Sequence, residues 1–153
     1  MICIIIFGCL CSCGDSGMSE FDNINTWDAI KGMFNNQAAQ AKKDGLVSKL
    51  KYDAHALEGF WIVDGTLIED DSLKKIYTNW DKQNKIVDYK LEDVHVFPIN
   101  MTSATYHYLI EIVYLDSSKT EKTLRQLESG VVTKTDNIWY YLNGNTSNIH
   151  QNK

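Results

Sequence analysis

The chain of 153 residues withholds the parts that several common chemistries require. Its four cysteines, Cys3, Cys9, Cys11 and Cys13, all fall in the first thirteen positions. A structural disulfide, a thiolate-ligated zinc and a cysteine nucleophile are therefore excluded from everything that follows. The histidines, His55, His95, His107 and His150, are too scattered for a helical metal pair at i, i+4, and neither a metal nor a cofactor is expected. Among 15 basic residues only Arg125 is an arginine, so one side chain alone can grip an anion with a planar fork. With a net charge of −5 and no basic cluster, nothing offers a nucleic-acid backbone the convergent cations it needs. Internal repeats are missing, and so is an apolar run of the ~20 residues that cross a bilayer. What is present is 44% apolar and 11% aromatic, enough for one domain with a sizeable core and too much for a disordered chain.

Met1 to Ser12 carry no charge, and Ile2, Ile4, Ile5, Ile6, Phe7 and Leu10 form a greasy stretch of signal-peptide length. No Lys or Arg precedes it. It runs into Leu10-Cys11-Ser12-Cys13 and then Gly14-Asp15-Ser16-Gly17. That arrangement resembles a bacterial lipobox, with Leu at −3, a small residue at −1 and the modified Cys at +1. The resemblance implies a signal peptide over residues 1–12, cleavage before Cys13 and acylation of Cys13. Residues 13–22 then read as a tether and 23–149 as the domain. Each buried acyl CH₂ contributes about 0.8 kcal/mol, so two or three chains would hold the protein at a membrane. The expected location is extracytoplasmic, in the periplasm or on the cell surface.

In the domain, Asn25 and Thr26 are good helix caps, followed by an apolar stripe of Trp27, Ile30, Phe34, Ala38 and Ala41 with Met33 at its edge. Asp44-Gly45 ends that helix, and a short helical piece follows with Leu46, Val47 and Leu50 expected inward. Asp64-Gly65 reads as a turn. Glu69 to Ser72 open a further helix with the stripe Leu73, Ile76, Tyr77 and Trp80. From Lys85 the period changes to two. Ala104 to Leu115 is the longest strand, with Tyr106, Tyr108, Ile110, Ile112 and Tyr114 on one face and His107 and Glu111 on the other. Asp116-Ser117-Ser118 turns into a strand over 119–134, bent at Gly130, and Asp136-Asn137 turns into Ile138 to Leu142. Helices first and long antiparallel strands last predict an α+β domain, its helices packed on one face of a curved sheet.

This order of elements, over about residues 24 to 147, resembles the SnoaL-like, nuclear transport factor 2-like superfamily, also called the cystatin-like or cone fold. The resemblance is carried by the long helix from Trp27 and the short one reaching Tyr52-Asp53-Ala54. Val63-Asp64-Gly65-Thr66-Leu67-Ile68-Glu69 then leads into the next helix, and Ala104 opens the central strand. Val131-Val132-Thr133-Lys134-Thr135-Asp136-Asn137-Ile138-Trp139 supplies the closing strand, turn and Trp. Relatives commonly follow that Trp with His and Ser at +6 and +8; here Asn145 and Ser147 stand there. What the resemblance implies is a cone with an interior pocket. A fold used for so many purposes does not name a reaction.

A ketosteroid isomerase of this group needs a carboxylate base at the end of the first strand and a Tyr plus protonated-carboxyl oxyanion hole. The base position falls on Gly59, with Glu58 one residue off. Phe34 stands in the first helix without a tyrosine, and Ser129-Gly130-Val131 occupy the second carboxyl's place with Glu128 displaced. That constellation is not met. His55, Glu58 and Arg125 remain as catalytic candidates. Arg125 shares parity with Leu127, Ser129 and Val131, positions that tend to face the cone in relatives. It reads either as an anchor for a ligand's carboxylate or phosphate, or as a surface ion pair with Glu121 or Glu128. Trp61, Tyr106, Tyr108, Arg125, Trp139 and Tyr141 are the expected pocket lining, with Asn143 and Asn145 at its rim, although each aromatic also reads as plain core. The function expected is the binding of a small apolar or mildly acidic molecule without an assigned reaction. The alternatives are an isomerase, dehydratase or hydrolase of the same fold, or a module that forms a homodimer through the outer sheet face bearing His107 and Glu111.

Overall fold

The computed structural model describes residues 19–53 and 59–149. Helix α1 spans Glu20–Asp44 and starts earlier than the caps at Asn25 and Thr26 suggest. Ser19 is the true N-cap: its hydroxyl accepts the Asp22 N–H at 3.1 Å and donates to the Asp22 carboxylate at 2.6 Å. Residues 20–22 of the expected tether are therefore helical and continuous with α1. Ile30, Phe34, Ala38 and Ala41 form the buried stripe as expected, joined by Met33 and Gln37, whereas Trp27, expected to start it, is exposed. Gly45, at φ 88°, ends α1. There Asp81 of the second helix accepts the N–H groups of Leu46 and Val47 at 2.8 and 2.9 Å, capping a 3-10 helix over Leu46–Tyr52. A 3-10 turn repeats every three residues. Lys49 thus stands above Leu46 and both are buried, while Val47 and Leu50, expected inward, are only half-buried.

Six strands follow the order β2-β1-β6-β5-β4-β3. They are β1 (Phe60–Val63), β2 (Thr66–Ile68), β3 (Lys85–Asn100), β4 (Ser103–Leu115), β5 (Glu121–Thr135) and β6 (Ile138–Asn148), with α2 (Asp70–Gln83) between β2 and β3. Every pairing is antiparallel except β1 with β6, so the sheet is mixed. The β1–β2 hairpin turns on Asp64 and Gly65, at φ 47° and 79°, the two positive values that a tight hairpin requires. The α+β expectation, with helices on one face of a curved sheet, describes the molecule. Phe34 of α1 lies at the centre, its ring 5.1, 5.0 and 5.5 Å from those of Tyr106, Tyr108 and Tyr141. No helix among the described residues is long and apolar enough to cross a membrane.

Two details of register decide which side chains enter the cone. The loop 116–120 is held by Asp116, whose carboxylate accepts the N–H groups of Ser118 and Thr120 at 2.9 and 3.0 Å. The Ser118 hydroxyl, then Lys122, keep that carboxyl well below the usual carboxylate range. This loop pairs Tyr108 with Glu128, Ile110 with Gln126 and Ile112 with Leu124. Directly paired residues share a sheet face, so Leu124, Gln126, Glu128 and Val132 face the helices. The second detail is a bulge where Val131 pairs with Asn143 but Val132 pairs with Tyr141. Leu142 is the extra residue, and it inverts the parity of β6 beyond it. Gly130 and Gly144 face each other just past the bulge, and neither tolerates a side chain. A Cβ on Gly130 would lie 2.1 Å from the Asn143 carbonyl, and one on Gly144 2.1 Å from the Trp61 ring.

Candidate functional site

A cavity of about 310 Å³ lies between the 3-10 helix, α2, β1 and the ends of β4, β5 and β6. Its walls are mainly apolar, supplied by Leu46, Leu73, Trp80, Ile112 and Leu124 among others, with Gln126, Thr146 and Asn148 as neutral polar groups. Leu73 and Trp80 belong to the stripe of α2 and project at helical spacing onto the sheet. Lys49 and Glu128 also line the cavity, and both are buried, Glu128 completely. A charged pair so far from water persists only when its hydrogen-bonding capacity is met.

Glu128 meets that condition. One carboxylate oxygen accepts Lys49 Nζ at 3.3 Å. The other accepts the Tyr106 hydroxyl at 3.3 Å and, at closer range, the Tyr108 hydroxyl. Burial, the largest single influence, pushes the Lys49 ammonium down, but Glu128 together with Tyr89, Tyr77 and Tyr141 outweighs it and holds the group protonated well above the ordinary lysine range. Burial, and next the negative charge of Glu128, drive the Tyr106, Tyr108 and Tyr141 hydroxyls far above the usual phenol value. They are neutral hydrogen-bond donors at every physiological pH.

The network continues into α1. Tyr141 Oη is 3.0 Å from Tyr108 Oη and 2.9 Å from the amide of Gln37, which is itself buried. Each hydroxyl owns one proton. Tyr108 spends its proton on Glu128, so the contact between the two phenols is a hydrogen bond only if Tyr141 donates to Tyr108. Tyr141 must then accept from Gln37, whose Nε2 has no partner when Oε1 faces the phenol. The orientation with Nε2 toward Tyr141 gives one directed chain, Gln37 to Tyr141 to Tyr108 to Glu128, ending on the carboxylate in the cavity wall.

The residues expected to matter are dispersed over this frame. Trp61, Tyr106, Tyr108, Trp139 and Tyr141 are on the helix-facing side and buried, but they pack as core behind the cavity instead of lining it. Arg125 is on the opposite, outer face. Its guanidinium meets Glu92 at 3.3 Å and Glu111 at 3.7 Å, not Glu121 or Glu128. Its expected inward parity is corrected by the pairing of Arg125 with Glu111, whose strand turns its tyrosines the other way. Asn143 and Asn145 are also outside, because they follow the Leu142 bulge; Asn143 uses its side-chain oxygen to accept the Val131 N–H at 3.1 Å. His107 and Glu111 are on the outer face as expected, His107 stacked on His95 with ring centroids 4.7 Å apart. Cys13, His55 and Glu58 lie outside the described residues, and no cluster of three metal-binding side chains exists among the described ones.

Lys49 and Gln37 escaped the sequence reading, and Glu128 entered it only as a displaced carboxyl or a surface partner of Arg125; each left a trace. Gln37 sits within the apolar stripe of α1, where a polar residue is the informative exception. Lys49 follows Leu46 at the spacing of a 3-10 turn, and Glu128 is the acid that one register of the β4–β5 hairpin sets opposite Tyr108.

No family model matches the chain, and no curated protein does. Solved structures do. A protein provisionally named a scytalone dehydratase from Novosphingobium aromaticivorans superposes with a TM-score of 0.74 over 86% of this chain and 89% of that one, at 10% identity. The hexachlorocyclohexane dehydrochlorinase LinA-type3 from Novosphingobium barchaimii gives 0.68 over 86% and 92%, also at 10% identity. An NTF2-like protein of unknown function from Prochlorococcus gives 0.65 over 88% and 97%, at 12% identity. The chain therefore has the nuclear transport factor 2-like, cystatin-like cone fold. At such identities the likeness is one of fold, and the chemistry has to come from the residues of this cone.

Proposed function

We propose that the domain binds a small, largely apolar molecule bearing an oxygen acceptor, and that Cys13 holds it by lipid at an extracytoplasmic membrane surface. The observation that carries the binding half is the Lys49–Glu128 pair, buried in the wall of a mainly apolar cavity whose other polar side chains, Gln126, Thr146 and Asn148, carry no charge. A buried ion pair adds little net stability even when its hydrogen bonds are met. As a recognition element it orients one polar group while the walls take the apolar body. Lys49 has N–H groups beyond the one given to Glu128, whereas all three neighbours of Glu128 are donors. Donors therefore outnumber acceptors, and Glu128 already balances the lysine charge. A neutral carbonyl or ether oxygen fits better than a second anion. The volume suits a body of roughly a dozen non-hydrogen atoms, at the small end of ligand sites.

The test is a panel of aromatic and alicyclic ketones and acids, screened by shifts in melting temperature and by Trp80 emission. Neutral ketones should raise the melting temperature with concentration, as binding to the folded state alone requires. Lys49→Met should abolish the shift and Arg125→Ala should leave it intact. A panel without effect, and purified protein free of any small molecule in native mass spectrometry, would remove the reading.

The same carboxylate favours a second reading, an acid–base enzyme, and two structural neighbours carry the names of a dehydratase and a dehydrochlorinase. Product appearance on incubation with a bound ketone, lost in Glu128→Gln, would distinguish turnover from binding. The anchor is tested by the mass of the mature N-terminus, which should begin at an acylated Cys13.

A further inference from the structure

Twelve large apolar side chains are exposed among the described residues, and they are not evenly spread. Six of them, Phe60, Leu67, Ile76, Val87, Leu127 and Ile149, are spread over β1, β2, α2, β3, β5 and the residue after β6, which is ordinary for a protein surface. Phe97 packs on His107 on the outer sheet face, and the other five, Ile24, Trp27, Ile99, Met101 and Ile138, gather at one end of the domain. Ile24 and Trp27, in the first turns of α1, share an apolar groove with Pro98. Ile99 and Met101 continue from Pro98 around the β3–β4 hairpin tip. The β5–β6 turn bearing Ile138 is tied to that tip, where the Lys134 N–H donates to the Thr102 carbonyl at 2.8 Å. A gathered apolar patch marks a docking surface where scattered residues do not.

We infer that this end of the domain rests on the lipid surface, with Trp27 and the β3–β4 hairpin tip dipping into the headgroup region of the membrane that holds the N-terminus. The position of the patch in the chain carries the inference. It opens α1, the helix that directly follows the apolar first twelve residues and Cys13. Five residues separate Cys13 from Ser19, and the six steps between the two reach about 20 Å at full extension. A tether of that length keeps the start of α1 near the bilayer and gives the patch a high local concentration of lipid. The chemistry agrees. Tryptophan, an amphipathic ring, favours the headgroup level, and Lys31, whose ammonium lies 3.9 Å from the centroid of the Trp27 ring, adds a cation beside it for lipid phosphates. Asp28 lines the groove and opposes strongly anionic lipid. The surface sought is therefore apolar and zwitterionic before it is acidic.

The inference rests on the anchoring half of the proposed function, and the two are separable by experiment. The full chain, expressed in a bacterium and moved from its membranes into phosphatidylethanolamine vesicles with brominated acyl chains, is first tested for flotation. Trp emission is then compared with that in unbrominated vesicles. Trp61 and Trp139 are buried and Trp80 packs on Tyr114 at the far end of β4, so docking predicts quenching that Trp27→Phe largely removes and that Ile99→Ser with Met101→Ser weakens, with melting temperatures unchanged. Protein that floats but shows no quenching dependent on Trp27 would overturn the docking while leaving the anchor standing. Protein that does not float would overturn both.

Discussion

Strand β5 carries two ion pairs three residues apart and on opposite faces of one sheet. Outside, Arg125 reaches Glu92 and Glu111 among half-exposed neighbours. Inside, Glu128 reaches Lys49 with no exposure of its own. The chemistry is the same and the surroundings are not. Water solvates the outer charges whether or not they pair, so pairing adds little. The inner charges gave up their hydration on folding, and only Lys49, Tyr106 and Tyr108 stand in for it. Such an arrangement is expensive to build and easy to break, which is why the inner pair and not the outer one is assigned a binding role.

The comparison breaks most sharply at Glu128. Replacing it by Ala strands Lys49 in the core and should cost about 3 to 5 kcal/mol in urea unfolding. Lys49→Met with Glu128→Leu removes both charges at once and should recover most of that loss, yet abolish ketone binding. A double variant that stays as unstable as Glu128→Ala would mean that packing, not charge, explains the effect. High pH acts on the same cluster. Tyr106, Tyr108, Tyr141 and Lys49 all hold their protons above the ordinary range when folded. The unfolded chain releases those protons from about pH 10. Stability from these groups is complete below that point and falls as pH rises through it, because the unfolded state then binds fewer protons. Urea midpoints from pH 8 to 11.5 should decline beyond pH 10, and less steeply in Tyr108→Phe. A midpoint flat to pH 11.5 would contradict the burial of the phenols.

Much of this fold was legible, and the reason is periodicity. Ile30, Phe34, Ala38 and Ala41 repeat at helical spacing, and the tyrosines of β4 alternate without interruption, so α1 and the central strand read directly. The site was less legible, because single residues of offset decide it. Lys49 depends on a turn repeating every three residues instead of 3.6. Glu128 and Arg125 exchange faces with one step of hairpin register, which the hydrogen bonds of Asp116 fix and the alternation within β5 does not. Asn143 and Asn145 left the cone through one extra residue at Leu142.

Gly144 sharpens the contrast from the side of packing. Its missing side chain leaves room for the Trp61 ring, so Gly144→Ala forces the ring or the strand to move and should cost about 1 to 3 kcal/mol. Trp61 emission should change with the loss of stability. An unchanged urea midpoint would show that the strand yields at no cost.

The smallest effect belongs to the outer pair. Arg125→Ala removes contacts at 3.3 and 3.7 Å to two carboxylates that water already reaches. The expected loss is within about 1 kcal/mol, and salt should shrink it further, since surface charges are screened. Glu128→Ala should keep most of its cost in the same salt, because buried charges are screened far less than exposed ones. The ratio of the two losses, measured at low and high ionic strength, therefore tests the assignment of faces itself. If Arg125→Ala cost as much as Glu128→Ala and resisted salt equally, both charges would have to be desolvated. The outer face would then be covered in solution, by a second copy of the chain laid over Phe97 and Leu127, and the distinction between a functional inside and an idle outside would fail.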